Sequence, residues 1–137
     1  MRFWDTSALV PLLLAEPRSR TIRQVMMSDV NAVVSFITSV ELQSAIARRL
    51  KAHELDTRQT ALEFLSALQS GWTVADDYAR IMTTARRLAS VHSLRSADAI
   101  QLASAMSLHG GSERMEFVTL DEELAAAARA EGFPLLP

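Results

Sequence analysis

The sequence predicts an α/β domain with a mainly parallel sheet, and three observations carry that reading. Short apolar or β-branched runs (RFW, AVVSF, WTV, MEFVTL) recur along the chain. The longer stretches between them have helical periodicity. Strand-like and helix-like segments alternate, the pattern of parallel strands joined by crossover helices. Residues 1–137 contain no linker, repeat or low-complexity tract and are read as one domain, long enough to bury a core.

Each element has its own signal. RFW opens the chain as a short strand. SALVPLLLA follows as a helix in which Pro11 removes one early backbone bond, tolerable near the first turn. SRTIRQVMMS is a second helix, and AVVSF is a β-branched strand. TSVELQSAIARRLKAH is a helix with Val40, Ser44, Ala47 and Leu50/Lys51 along one side. In DTRQTALEFLSALQSG, Asp56 suits the start, Gly71 the stop, and Leu62, Leu65 and Leu68 line one face. WTV is a brief strand. DDYARIMTTARRLASVH and SADAIQLASAMSLHGG are helices, the second closed by Gly110. MEFVTL is a strand, DEELAAAARAEG a helix ending at Gly132, and FPLL a last short strand.

Composition narrows the function classes. Fourteen basic against 16 acidic residues give a net charge of −2, which excludes a strongly basic nucleic-acid coat but not a local basic patch. There is no cysteine, so disulfides and Cys-based zinc sites are excluded. Arg2 and SALVPLLLA resemble the start of a signal peptide. However, Asp5 interrupts the run and no A-x-A site follows. The run is also far short of the roughly 20 apolar residues of a membrane span, so a soluble, cytoplasmic protein with no membrane partner is expected. Thirteen of the 14 basic residues are Arg. Arg suits bidentate phosphate contacts, but codon bias in an Ala-rich chain is the better explanation of the excess.

Ligands of parallel sheets lie beyond the carboxyl ends of the strands, so acids at strand ends and helix starts draw notice. Asp5 ends the first strand, and Glu41 lies in the first turn after AVVSF. Asp98 lies in the first turn of SADAIQLASA, and Asp121 follows FVTL. Each has a structural explanation. Asp5 and Asp121 suit N-caps, as Asp76 and Asp77 do for their own helix. Thr38 and Glu41 have capping-box spacing. Asp98 suits the helix dipole, with Ser96 as cap. The alternative is a metal site, because Mg²⁺ and Mn²⁺ prefer oxygen ligands and relieve the repulsion among clustered carboxylates. Pattern alone leaves the capping explanation ahead.

Resemblance changes that balance. FWDTSALVPLLLAEP resembles the first motif of PIN-domain ribonucleases, in particular VapC-type toxins of VapBC toxin–antitoxin pairs. ITSVELQSAIAR is similar to the second motif, LRSADAIQLASA to the third and FVTLDEELAAAARAEG to the fourth. The four occur in family order and span nearly the whole chain. The resemblance implies a PIN-like three-layer α/β/α sandwich and a Mg²⁺- or Mn²⁺-dependent endoribonuclease that acts as a toxin. It places Asp5, Glu41, Asp98 and Asp121 in a catalytic, metal-binding cluster. Asp5 and Asp98 are implied as direct ligands and Glu41 as a ligand directly or through water, with Asp121 and Thr119 supporting them. Ser7 matches a polar position that orients the first motif. The implied reaction is in-line attack of water on an RNA phosphodiester, leaving a 5′-phosphate and a 3′-hydroxyl. The family's second motif more often has a larger hydrophobic or aromatic residue where this chain has Gln43 or Ser44, a difference that bears on the groove wall.

For RNA, Arg48, Arg49, Lys51, Arg86, Arg87 and Arg95 are candidate phosphate contacts, although charged helix positions are usually solvated faces. The resemblance also implies a homodimer and a cognate VapB-type antitoxin, and the apolar faces of the second, third and fourth helices suit either contact. The competing classes fit less well. A histidine-driven ribonuclease needs a positioned pair, whereas His53, His92 and His109 fall near helix ends. A phospho-receiver domain needs paired acids at the first strand and a late lysine. A P-loop needs a glycine-rich motif, and only four Gly occur. A PIN nuclease of RNA processing without toxicity, and a non-enzymatic interaction module explained by capping, complete the alternatives.

Overall fold

A computed structural model of the chain describes residues 1–50, 54–108 and 115–137. The predicted Lys51, His53, His109 and Gly110 features lie outside the described residues. The first half runs β1 (Arg2–Trp4), α1 (Thr6–Leu13), α2 (Ser19–Ser28), β2 (Ala32–Ser35), α3 (Thr38–Arg49) and α4 (Leu55–Gln69). The second half runs β3 (Thr73–Ala75), α5 (Tyr78–His92), α6 (Ser96–Ser107), β4 (Glu116–Val118), α7 (Glu122–Ala130) and β5 (Leu135–Leu136). The sheet order is β3-β2-β1-β4-β5 and every pairing is parallel.

Strand periodicity sorts side chains to the two faces of this sheet. Phe3, Val33 and Phe117 face one side, where they meet Ile81 and Leu88 of α5, Leu102 of α6 and Leu124 of α7. Trp4, Ala32, Val34 and Val118 face the other, against Leu9 of α1, Ile22 of α2, Leu42 and Ile46 of α3 and Leu65 of α4. The result is the three-layer α/β/α sandwich that the sequence predicts, with α1–α4 and α5–α7 as the outer layers. Register puts Phe3 directly beside Phe117, and their rings stack at 5.1 Å. Phe133 meets Phe117 edge-on at 5.7 Å. Gly132 turns the chain into that contact at φ 92°, a left-handed conformation that glycine takes without steric cost. The amide of Phe133 donates to the carbonyl of Ala128, and that of Gly132 to Arg129, closing α7 in a Schellman motif.

Several local expectations are corrected. Pro11 sits in the second turn of α1, and that helix ends at Leu13. The exposed residues Val40, Ser44 and Ala47 mark the outer side of α3, whereas Leu42, Ala45 and Ile46 are buried. The Thr38–Glu41 capping box does not form. Ile37 is the N-cap, and the side chains of Thr38 and Glu41 both serve tertiary partners instead. Arg95, in extended conformation, is the N-cap of α6 and makes no side-chain bond, which leaves Ser96 as the first helical residue. The caps by Asp5, Asp77 and Asp121 do form. Because Phe117 is fully buried in the aromatic stack, Phe117→Ala should lower unfolding free energy by about 3–5 kcal/mol. A lower urea midpoint at unchanged slope is the expected reading; an unchanged midpoint would contradict this packing.

Candidate functional site

Strand order reverses between β1 and β4. The chain leaves β1 toward β2 on one side and later returns to place β4 on the other. A crevice opens at the carboxyl ends of such a pair, and the residues that follow these two strands are Asp5 and Thr119–Asp121. The amide of Asp5 donates to the carbonyl of Val118 at 3.0 Å, which continues the β1–β4 pairing to the crevice edge.

Asp5 is 4% exposed and held by a closed set of donors. Its Oδ2 accepts from the Ser7 amide at 3.1 Å, from Ser7 Oγ, and from Thr119 Oγ1 at 3.0 Å. The two hydroxyls are themselves oriented by backbone. Ser7 Oγ accepts from the Leu120 amide at 2.9 Å, and Thr119 Oγ1 from the Asp121 amide at 3.1 Å. All these bonds fall on Oδ2, and among the described residues none falls on Oδ1. Burial pushes the Asp5 carboxyl from 3.8 to about 6, against the lowering effect of the Ser7 and Thr119 bonds and with a small further rise from Glu41.

The other acids reach the same cleft from different elements. Asp5, Glu41, Asp98 and Asp121 all line a cavity of about 760 Å³. Asp98 is raised above the ordinary carboxylate range, first by burial and then by the charges of Asp121 and Asp5, with Arg95 opposing. Glu41 Oε1 accepts from Thr6 Oγ1 at 2.9 Å and from Gln101 Nε2 at 2.6 Å. Asp121 uses Oδ1 to cap α7 at the Leu124 amide, 2.8 Å away. Among the described residues no trio of His, Cys, Asp or Glu side chains stands ready-made to hold a metal ion. The donor set nonetheless fits a hard divalent ion. It is all oxygen, it suppresses its own charge, and ions such as Mg²⁺ keep several waters rather than requiring a full protein cage.

The match to known families decides what this arrangement belongs to. The family model of the PIN domain matches residues 2–130. The chain belongs to the PIN-domain family. Among solved structures, this PIN domain is similar to FitAcB from Neisseria gonorrhoeae, with a TM-score of 0.71 and 22% identity, covering 100% of this chain and 97% of that one. It is likewise similar to FitAB bound to the IR36 DNA fragment, with a TM-score of 0.71 and 20% identity, covering 99% and 94%. At these identities the likeness speaks for the fold. No curated protein matches the chain. PIN domains are generally nucleases.

The basic residues divide. Arg48, Arg49 and Arg95 line the acidic cleft, with Arg49 paired to Glu16. Arg86 and Arg87 lie on α5 and are not among the cleft residues. Arg87 instead grips Glu131 through two bonds of 3.0 and 2.9 Å, and His92 lies 2.8 Å from the same carboxylate. The Arg87 bonds hold Glu131 well below the usual carboxylate range, which marks the trio as a clamp between α5 and the end of α7.

Two contributors escaped sequence reasoning, Thr6 and Gln101. Gln101 is the one amide in the mostly apolar AIQLASA stretch, three residues after Asp98 and therefore on its side of α6. That anomaly was a usable signal. Thr6 sits inside the first motif with no spacing to single it out.

The Asp5 environment generates a pH prediction for metal-free protein. A carboxyl whose folded pKa is raised binds its proton more tightly when folded. The associated stability is therefore complete below about pH 4 and is lost as pH rises through about 6. Wild type in EDTA should lose about 3 kcal/mol relative to Asp5→Asn between about pH 4 and 6, at roughly 1.4 kcal/mol per pH unit, and little more above that. Denaturant unfolding of both proteins across that range checks it, and a constant difference between them refutes it.

Proposed function

We propose that this PIN domain is a Mg²⁺- or Mn²⁺-dependent endoribonuclease and the toxin of a toxin–antitoxin pair. One observation carries the nuclease reading. Four carboxylates from separate segments line one cleft, and two of them are held against their own ionisation by burial and by neighbouring charge, Asp5 by Glu41 and Asp98 by Asp121 and Asp5. A divalent cation is the ligand whose charge offsets that cost.

Asp5 through its unused Oδ1, Asp98 and Glu41 would hold the cation, and Asp121 would support them through the carboxylate oxygen not engaged at α7. When bound, the ion supplies a Lewis acid at the scissile phosphate and lowers the pKa of water. The chain's own work is positional. Ser7 and Thr119 fix the Asp5 carboxylate, and Thr6 and Gln101 fix that of Glu41. Arg48 and Arg95 are exposed at the cleft, make no salt bridge among the described residues, and would receive phosphates. Water attacks the phosphodiester in line, leaving a 5′-phosphate and a 3′-hydroxyl.

The toxin reading rests on the four motifs that resemble VapC toxins. FitAB, which shares the fold, is seen on DNA. A VapB-type antitoxin and a homodimer require apolar contact surface. Met27 of α2, Val40 of α3 and Phe64 of α4 are exposed, on the three helices singled out in the sequence.

Purified protein should cleave RNA with Mg²⁺ or Mn²⁺ and stop with EDTA. Asp98→Asn should lower cleavage at least about a hundredfold while circular dichroism stays native. Cleavage that survives EDTA, or products ending in cyclic phosphate, would sink the metal mechanism. Induced expression of wild type against Asp5→Asn, with growth recorded, tests toxicity. A wild type that leaves growth unaffected points to a non-toxic PIN nuclease. Arg95→Ala should weaken binding to single-stranded RNA of any sequence and reduce the logarithmic salt slope by about 0.7. An unchanged slope removes Arg95 from the phosphate contacts.

A further inference from the structure

We infer that Gln101 is the positioning residue of Glu41, fixing one oxygen of that carboxylate so that the other is presented to a cation bound with Asp98. This rests on the cation-binding reading of the cleft.

The side chain is 1% exposed. Its Nε2 donates to Glu41 Oε1 at 2.6 Å and approaches Thr6 Oγ1 at 2.9 Å and Thr38 Oγ1 at 3.2 Å. Thr6 Oγ1 in turn donates to the same Glu41 oxygen at 2.9 Å, which closes a triangle. A carboxylate only accepts, so Glu41 decides which end of the Gln101 amide faces it. Two donors converge on Oε1, and Oε2 takes neither bond.

The opposite end of the amide argues against a purely stabilising role. Gln101 Oε1 is buried and has no hydrogen-bond partner among the described residues. Such an unsatisfied acceptor is unfavourable, and an apolar side chain of similar volume would avoid it. What the position gains from glutamine is therefore its N–H pair, and the shortest of those bonds goes to Glu41.

The geometry also links two acids that sequence keeps far apart. Asp98 and Gln101 are three residues apart on α6, so one helical turn carries both a cleft carboxylate and the amide that anchors a second one. Thr6 adds the start of α1, the segment next to Asp5. Helix α6 thereby sets the placement of Glu41 relative to Asp98, although Glu41 belongs to α3.

The test is a thermodynamic cycle on Mn²⁺ affinity, measured by titration with MnCl₂ on the full chain, using wild type, Gln101→Leu, Glu41→Gln and the double variant. Unfolding in EDTA is recorded for each. Gln101→Leu should fold with little change in stability and bind Mn²⁺ about tenfold more weakly, the usual effect of losing a hydrogen-bond partner behind a ligand. In the Glu41→Gln background the same change should add nothing, because the amide acts through that carboxylate. Unchanged affinity, or an equal loss in both backgrounds, overturns the inference while leaving the metal reading intact. Wild type that does not bind Mn²⁺ overturns the metal reading, and this inference with it. If Gln101→Leu does not fold, Gln101→Met carries the same cycle. Should neither fold, the side chain is held for the fold alone and the inference fails.

Discussion

The Asp5 carboxylate, bonded across the gap between β1 and β4, is the constraint on which the rest of the site depends. Its Oδ2 gathers the Ser7 amide and the hydroxyls of Ser7 and Thr119, and those hydroxyls take the amides of Leu120 and Asp121. The backbone after β4 is thereby tied to the first turn of α1. Removing that carboxylate would leave buried donors from both strand ends without an acceptor. A charge this deep is expensive, and the structure keeps it at the edge of a cleft where further carboxylates raise the cost.

Capping and ligand binding, which compete as readings of the sequence, need not exclude one another, because a cap bond engages one carboxylate oxygen and leaves a second. Asp5 accepts the α1 cap bond at Oδ2 and leaves Oδ1 free. Asp121 caps α7 with Oδ1. A carboxylate has enough lone pairs to fix a helix start and still face a cation, so a capping aspartate at a strand end is rigid in the way a ligand needs to be. Glu41 reaches the same condition differently. Its expected capping box gives way to tertiary donors, Thr6 and Gln101, which both bond its Oε1.

The arginine surplus separates by geometry. Arg48 and Arg95 border the acids, and Arg95 acts on the charge of Asp98, whereas Arg87 is committed to Glu131 with His92. Positive charge beside a carboxylate cleft has a consistent use in a nuclease: it steers a polyanion toward a site that the acids alone would repel. Basic residues on helices look alike in sequence, since only packing reveals which have an acidic partner.

By itself the sequence determined the layer architecture and the location of the acids. Short apolar runs in RFW, AVVSF and MEFVTL, set between helical patterns, predict a parallel sheet covered on both faces, and the register of Phe3 with Phe117 realises it. Asp5, Glu41, Asp98 and Asp121 were legible because local junctions place them, and the family motifs carry those junctions. Only the tertiary structure decided which oxygen of each acid is occupied, which arginines meet an acidic partner, and that a glutamine on α6 bonds a glutamate on α3. The last two depend on contacts between residues far apart in the chain, such as Arg87 with Glu131, 44 positions apart, and Gln101 with Glu41, 60 apart. Neither periodicity nor capping signals reach that far, because both describe only the nearest turn of backbone.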